Sequence, residues 1–114
     1  MGSEPRLELR ETPEDGCVRL MVTGELDLAT APMLEYRLGQ LQAENRAVRV
    51  DLSELEFMDS TGVHLFLRAA EHARRTGWQL DVQRDLSSQV RRLFRLTGVE
   101  DFILAGDRDL VFRC

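Results

Sequence analysis

The sequence predicts a two-layer α/β fold, and two observations lead to this prediction. Segments in which apolar and polar residues alternate are interleaved with segments whose apolar residues recur at helical spacing, in the order β-β-α-β-α-β-α followed by a short β. The strand segments alternate strictly instead of being continuously apolar, so each strand is expected to have only one apolar face. We therefore expect a mixed sheet of four to five strands with its helices mainly on one face.

Four segments alternate in the way expected of half-buried strands. Their apolar residues are Leu7 and Leu9; Val18, Leu20 and Val22; Val48, Val50 and Leu52; and Trp78, Leu80 and Val82. Residues 12–16 separate the first two segments and contain Pro13 and Gly16, which predicts an antiparallel hairpin. Strands separated by helices are expected to run parallel, joined by right-handed crossovers. The apolar residues 102–104 predict a short edge strand at the end of the order.

Three segments carry a stripe of apolar residues at helical spacing. The stripes are Leu34, Leu38 and Leu41; Val63, Phe66, Leu67 and Ala70; and Val90, Leu93, Phe94 and Thr97. Thr30 is the expected N-cap of the first helix, and Ser87 is the expected N-cap of the third. The second helix is expected over about residues 60–75, ending at Gly77, and the third is expected to end at Gly98.

The bulk composition fits one soluble domain, predicted over residues 5–112. The chain has 114 residues, of which 43% are hydrophobic and 31% charged, as is usual for a globular protein. Its net charge of −5 opposes binding to nucleic acid, which needs a basic face. No segment reaches the roughly 18 apolar residues of a membrane span, and residues 1–10 lack the apolar core of a signal peptide. We therefore expect a cytoplasmic protein without a membrane partner, with free thiols at Cys17 and Cys114.

The sequence carries no pattern typical of a catalytic or metal site. His64 and His72 lie eight residues apart, without acidic or cysteine ligands at metal spacing. There is no glycine-rich phosphate loop and no Gly-x-Ser-x-Gly nucleophile motif. The one histidine near Ser60 is His64, a turn along the same predicted helix, where such neighbours are more often incidental than catalytic. We expect neither an enzyme nor a bound cofactor or metal.

Ser60 lies in a short polar segment, residues 59–62, directly before the stripe of the second helix. The simplest interpretation is a helix cap, in which Asp59 or Ser60 accepts a hydrogen bond from an otherwise unpaired amide. A capping box would place Glu or Gln three residues on, where this sequence has Gly62 and Val63. The three small residues in a row, Ser60, Thr61 and Gly62, are expected to leave the backbone approachable by another protein, and the helix dipole would accommodate a phosphate on Ser60.

A second polar segment, residues 24–27, follows the second strand and is expected at the same edge of the sheet. Taken alone it is a tight turn, in which a glycine supplies backbone freedom and Asp27 is a solvated or capping carboxylate. Beside Ser60, however, Glu25, Asp27 and Asp59 would form an acidic patch. A phosphate adds about −1.5 to −2 charges and would be repelled there, which predicts an electrostatic switch.

Three stretches together resemble the STAS domain, and specifically the single-domain bacterial anti-sigma-factor antagonists. Residues 22–32 (VTGELDLATAP) resemble the Gly-Glu-Leu-Asp segment of the family, residues 51–62 (DLSELEFMDSTG) its phosphorylation segment, and residues 90–98 (VRRLFRLTG) its third helix. The resemblance covers about residues 6–105 in the element order predicted above. Each motif alone is weak, but the three in order are specific.

The resemblance implies a partner-switching mechanism. The unphosphorylated chain would bind an anti-sigma factor, a serine kinase of the histidine-kinase-like ATPase fold, and so free a sigma factor. That kinase would phosphorylate the serine that follows the aspartate of the motif, which is Ser60 here. The phosphorylated chain would let go of the kinase, and a PP2C-type phosphatase would reset it.

The partner-binding surface implied by the resemblance surrounds Ser60. Its expected residues are Glu25, Asp27, Asp59, Thr61, Gly62 and His64. Thr61 would be a contact or a second phosphate acceptor. His64 departs from the family, which often has a small residue there; its bulk could tune partner choice, and when protonated it could pair with a phosphate on Ser60. Two other functions stay open: an unphosphorylated STAS subunit of a transporter or lipid-trafficking complex, and a small-molecule sensor at the same edge.

Overall fold

The computed structural model describes residues 6–104, which form five strands and four helices. The elements are β1 (Leu7–Glu14), β2 (Cys17–Leu26), α1 (Ala31–Ala43), β3 (Ala47–Asp51), β4 (Leu55–Met58), α2 (Ser60–Thr76), β5 (Leu80–Val82), α3 (Ser88–Thr97) and α4 (Glu100–Leu104). Part of the predicted domain, residues 5 and 105–112, lies outside the described residues. The α/β class and the first seven predicted elements are confirmed, with one additional strand, β4.

The first two strands form the predicted antiparallel hairpin. They pair from Leu7 opposite Gly24 to Glu14 opposite Cys17, so the turn is only two residues long. Gly16 has φ +80°, a conformation that glycine adopts without steric cost and that tight hairpin turns require. Strand β1 includes residues 12–14, which the sequence places in the turn. Pro13 is tolerated in this strand because β1 lies at the edge of the sheet.

The remaining strands run parallel to β2, as predicted. Strand β3 pairs with the first half of β2, and β5 pairs with β3. Strand β4 pairs with the end of β2 over Gly24–Leu26, on the side opposite β1. Strands β3 and β4 therefore follow one another along the same side of β2. The C-terminal ends of β2 and β4 lie side by side as a result.

The core lies between the sheet and the helices. Alternate residues of the central strands and the apolar stripes of the helices belong to one buried cluster, which confirms that the helices lie mainly on one face. The other face is polar: Arg19 pairs with Glu14 at 2.9 Å, and Arg49 with Asp81 at 3.0 Å. Helix α2 ends at Gly77, as predicted, which adopts the left-handed conformation with φ +78°.

Two sequence-based expectations are wrong in this part of the structure. Residues 102–104 belong to helix α4 and not to an edge strand. The N–H of Ile103 donates to the carbonyl of Val99 at 3.0 Å, and two acidic residues in the first turn suit a helix N-terminus. Cys17 is disulfide-bonded, which corrects the expectation of a free thiol there, while Cys114 lies outside the described residues. Within residues 6–104, no helix is long and apolar enough to cross a bilayer.

Candidate functional site

Two connections between a strand and a helix meet at the C-terminal edge of the sheet. One leads from β2 to α1 and the other from β4 to α2. Leu26 and Met58 are partners in the parallel ladder, and the N–H of Asp59 donates to the carbonyl of Leu26 at 3.2 Å. The ladder therefore brings the predicted segments 24–27 and 59–62 together, because the first contains the last three residues of β2 and the second directly follows β4.

Gly24 lies in β2, two residues before the strand ends and the first connection begins, and its backbone has φ +94°. A Cβ atom at this position would overlap the carbonyl oxygen of Arg6, and that oxygen accepts a hydrogen bond from the N–H of Glu25 at 2.8 Å. The Glu25 carboxylate also pairs with the Arg6 guanidinium at 3.1 Å. Glu25 is thus at the predicted edge, but part of its charge is balanced by an exposed arginine.

Asp27 and Thr30 close the first connection by hydrogen bonds within it. Oδ1 of Asp27 accepts from the N–H groups of Ala29 at 2.9 Å and Thr30 at 3.1 Å. The Thr30 hydroxyl accepts from the N–H of Asp27 at 3.0 Å and donates to the carbonyl of Glu25 at 2.8 Å. Thr30 occupies the predicted N-cap position, but its side chain makes no capping bond to the helix. Asp27 therefore organises the turn, in line with the simpler of its two interpretations.

The second connection is a single residue, Asp59, followed directly by α2. Asp59 is the N-cap, with φ −107° and ψ −170°, and its Oδ1 accepts from the N–H of Thr61 at 2.8 Å. Its carbonyl accepts from Gly62 at 3.1 Å and from Val63 at 3.3 Å. Ser60 is the first helical residue and is exposed. Within residues 6–104, no side-chain or backbone group forms a hydrogen bond with its hydroxyl, so this hydroxyl faces solvent.

The remaining predicted site residues differ in exposure. Thr61 is half-buried and His64, one turn beyond Ser60, is exposed. Gly62 is buried, and a Cβ atom there would overlap Met58 Cγ and lie 3.0 Å from Leu26 Cδ2. This corrects the expectation that Gly62 is approachable by a partner, because the position is turned to the protein interior. Its small size allows the first turn of α2 to pack on Met58.

Sequence reasoning missed three residues at this edge. The side-chain amide of Gln89, on α3, bonds both the N–H and the carbonyl of Met58, each at 2.9 Å. Leu28 and Phe57 are apolar yet 77% and 42% exposed. Leu28 lies outside the apolar stripes of the helices, and this position could have indicated from the sequence that its side chain is exposed. The sequence gives no signal for Gln89, because its contact depends on where α3 crosses β4.

Two features of the site act on an added anion in opposite directions: nearby carboxylates repel it, and the N-terminus of α2 attracts it. Asp27 and Asp59 place two carboxylates at the edge, while the first turn of the 17-residue helix α2 places its positive dipole end at Ser60. Among residues 6–104, no group of three or more His, Cys, Asp or Glu side chains is arranged to hold a metal ion. The arrangement therefore offers an exposed hydroxyl at the positive end of a helix dipole.

A comparison with known protein families identifies the family of this chain. The family described as Mlab, STAS domain matches residues 9–106, which is most of the chain. The chain belongs to the STAS-domain family.

Curated proteins with similar sequences include antagonists of anti-sigma factors. The chain is 37% identical over 98 residues to the anti-sigma-B factor antagonist of Listeria monocytogenes, covering 85% of this chain and 84% of that protein. It is 31% identical over 86 residues to the anti-sigma-B factor antagonist of Bacillus subtilis, covering 75% and 78%. The family identification made from the sequence is thereby confirmed.

Solved structures agree with this assignment. An anti-sigma factor antagonist from Mycobacterium paratuberculosis has a TM-score of 0.72 at 29% identity, covering 91% of this chain and 87% of that one. The antagonist SpoIIAA in its unphosphorylated form has a TM-score of 0.67 at 20% identity, with 84% of each chain covered. The phosphorylated form of SpoIIAA has a TM-score of 0.63 at 19% identity, with 84% and 86% covered. At such identities the two SpoIIAA structures show the shared fold.

Proposed function

We propose that this chain is an anti-sigma-factor antagonist whose partner binding is switched by phosphorylation of Ser60. The observation that carries the proposal is the exposed Ser60 hydroxyl, which follows the N-cap Asp59 at the first residue of α2. The curated relatives that share 31% to 37% identity are named anti-sigma-B factor antagonists, which supports this function and disfavours the transporter or lipid-trafficking alternative. The chain acts by binding and not as an enzyme.

The partner is an anti-sigma factor that is itself a serine kinase of the histidine-kinase-like ATPase fold. The unphosphorylated chain binds this kinase in the cytoplasm and so releases a sigma factor. The kinase then transfers phosphate to Ser60, and a PP2C-type phosphatase reverses the modification. The contact surface around Ser60 comprises Asp27, Asp59, Thr61 and His64, with the exposed Leu28 and Phe57 as apolar contacts.

The switch is electrostatic. A phosphate on Ser60 adds about −1.5 to −2 charges beside Asp59 and across the ladder from Asp27. The helix dipole of α2 tolerates that charge within the chain, so the fold survives phosphorylation. A partner surface that fits two carboxylates and a neutral hydroxyl does not fit the added dianion. Phosphorylation therefore releases the partner without unfolding the antagonist.

The test is phosphorylation in vitro by candidate anti-sigma kinases from the same genome, with the site located by mass spectrometry. Ser60→Ala should remain unphosphorylated and bind the kinase, whereas Ser60→Asp should bind weakly. The matched control is Ser88→Ala, because Ser88 is also exposed and also opens a helix, α3. Phosphate found on Thr61 of the Ser60→Ala protein would identify a second acceptor. An unmodified Ser60, together with equal binding of Ser60→Ala and Ser60→Asp, would exclude the switch.

A further inference from the structure

Gln89 clamps the end of strand β4 from the neighbouring helix. Its side-chain oxygen accepts from the N–H of Met58, and its side-chain nitrogen donates to the carbonyl of Met58, both at 2.9 Å. An amide that bonds both groups of one residue occupies the place of a neighbouring strand. The clamp also provides partners for two backbone groups of Met58, a buried residue in which unpaired polar groups would be costly. Helix α3 is thereby fastened to the residue immediately before the Asp59–Ser60 turn.

Met58 passes this restraint on to the phosphate acceptor. Its side chain is fully buried and lies directly beneath Gly62, in the first turn of α2. On the other side of the turn, the N–H of Asp59 donates to the carbonyl of Leu26 at 3.2 Å. Ser60 is thus held between a residue fixed by α3 and a residue fixed by β2. Loss of either restraint would allow the turn to leave the conformation in which Ser60 is presented.

We propose that Gln89 is a positioning residue for phosphorylation: its pair of bonds to Met58 holds Ser60 in the conformation that the kinase accepts. This inference rests on the proposed function and deepens it. Gln89 acts through Met58 and does not contact the reacting hydroxyl. A turn that spends only part of its time in the accepted conformation binds with an apparent affinity reduced by that fraction. Loss of the Gln89 bonds should therefore raise the KM of the kinase and leave its kcat nearly unchanged.

The test uses Gln89→Met, which keeps the side-chain length and removes both bonds. Loss of one to two net hydrogen bonds should shift the equilibrium of the turn away from the accepted conformation about tenfold. We therefore expect amide hydrogen exchange at residues 59–62 to accelerate about tenfold, beyond any change in the exchange of core strand β3, and the KM of the kinase to rise by up to the same factor. Gln89→Leu, which also removes both bonds, should raise KM in the same direction and serves if Gln89→Met folds poorly.

The matched control is Trp78→Phe. It removes one side-chain hydrogen bond to the backbone, from Trp78 Nε1 to the Arg46 carbonyl at 2.7 Å, at the opposite edge of the sheet. It should lower global stability without changing KM or exchange at residues 59–62. If both Gln89 variants keep the wild-type KM while wild-type Ser60 is phosphorylated, the positioning role is overturned and the proposed function stands. If wild-type Ser60 is not phosphorylated, both are overturned.

Discussion

The two strand-to-helix connections at the C-terminal edge use the same residue types, but the hydroxyl group has a different role in each. Each contains an aspartate whose Oδ1 accepts from a backbone N–H two residues on, and in each case a residue with a hydroxyl lies at the start of the helix that follows. In the first, Thr30 is only 5% exposed and its hydroxyl forms hydrogen bonds within the turn. In the second, the hydroxyl of Ser60 is exposed. Spacing makes the difference: three residues after Asp27 the hydroxyl folds into the turn, whereas one residue after Asp59 it points out of the helix.

The lesson is that an Asp–hydroxyl pair at a helix start is not by itself a sign of a switch. A closed turn uses the hydroxyl to satisfy the backbone, so that the group is not available to another protein. In the connection from β4 to α2, the Asp59 side chain accepts from the N–H of Thr61 and the Leu26 carbonyl accepts from the N–H of Asp59. The hydroxyl of Ser60 therefore takes no part in satisfying this backbone. The substitutions below separate these two roles, because a structural hydroxyl should affect folding and a regulatory hydroxyl should affect binding.

The largest expected effect comes from a comparison of two glycines, Gly24 at the end of β2 and Gly62 in the first turn of α2. Gly24→Ala places a Cβ against the Arg6 backbone and forces a positive φ on alanine, so we expect a loss of about 3 kcal/mol or more in unfolding free energy. Gly62→Ala meets the flexible side chain of Met58 instead, and should cost about 1–3 kcal/mol. Urea unfolding measures both. Equal losses would mean that the Arg6 carbonyl yields as easily as Met58, and that the first connection is not the more rigid one.

The second comparison concerns the two hydroxyls themselves. Thr30→Val keeps the shape but leaves the N–H of Asp27 and the carbonyl of Glu25 without a partner, at a cost of about 2 kcal/mol. Ser60→Ala removes an exposed hydroxyl and should change stability by less than about 0.5 kcal/mol. In the kinase assay the order reverses, because folded Thr30→Val remains a substrate and Ser60→Ala does not. A stable Thr30→Val protein would contradict the structural role assigned to that hydroxyl.

The third comparison separates the cap from the charge at Asp59. Asp59→Ala leaves the N–H of Thr61 without its acceptor and should lower the unfolding free energy by about 1 kcal/mol. Asp59→Asn keeps an acceptor oxygen and should cost much less, while removing the negative charge beside Ser60. If kinase binding changes in Asp59→Asn at unchanged stability, the charge contributes to recognition. If it changes only in Asp59→Ala, Asp59 acts through the position of the helix alone.

The sequence predicts those parts of the fold and site that follow from periodicity and local caps. The hairpin, the α2 start at Ser60 and the end at Gly77 all rest on short-range patterns, and the structure confirms them. Strand β4 is only four residues long, with two exposed, so it shows no useful alternation. Residues 102–104 are apolar in a way that suits a strand or a short helix, and the burial of Ile103 and Leu104 decides between them.

The contacts that shape the site are harder to predict than the elements. Thr30 carries the residue type and position of a helix cap, yet its hydroxyl turns back into the loop because the carbonyl of Glu25 lies within reach. The sequence suggests that Gly62 is a small exposed residue, but in the fold the Met58 side chain of β4 packs against it. The Gln89 clamp joins residues 31 positions apart. The contacts of Gly62 and Gln89 depend on how two elements pack, and the bond of Thr30 depends on the path of the backbone between residues 25 and 30; the residue types alone specify neither.

The smallest expected effect concerns how α1, the helix of the closed connection, is tied to the sheet. Arg37 on α1 bonds the carboxylate of Glu11 on β1, and this hydrogen bond holds the pKa of Glu11 below its ordinary value of 4.5. A carboxyl with a lowered folded-state pKa stabilises the fold above its unfolded pKa, and this contribution is lost as pH falls through the lower, folded value. Glu11→Gln should therefore cost less than about 1 kcal/mol at neutral pH, with the difference from wild type shrinking below pH 4.5.

Urea unfolding of Glu11→Gln and wild type at neutral and acidic pH measures this contribution. The control is Glu8→Gln, which removes the same charge from an exposed position of the same strand, where Glu8 lies 3.8 Å from Arg10. If the two variants differ from wild type equally at every pH, the ion pair with Arg37 adds nothing specific. A difference confined to Glu11→Gln, and lost in acid, would mean that acid loosens α1 from β1. Because α2 is not part of this ion pair, amide exchange at residues 59–62 should then remain unchanged while exchange in α1 accelerates.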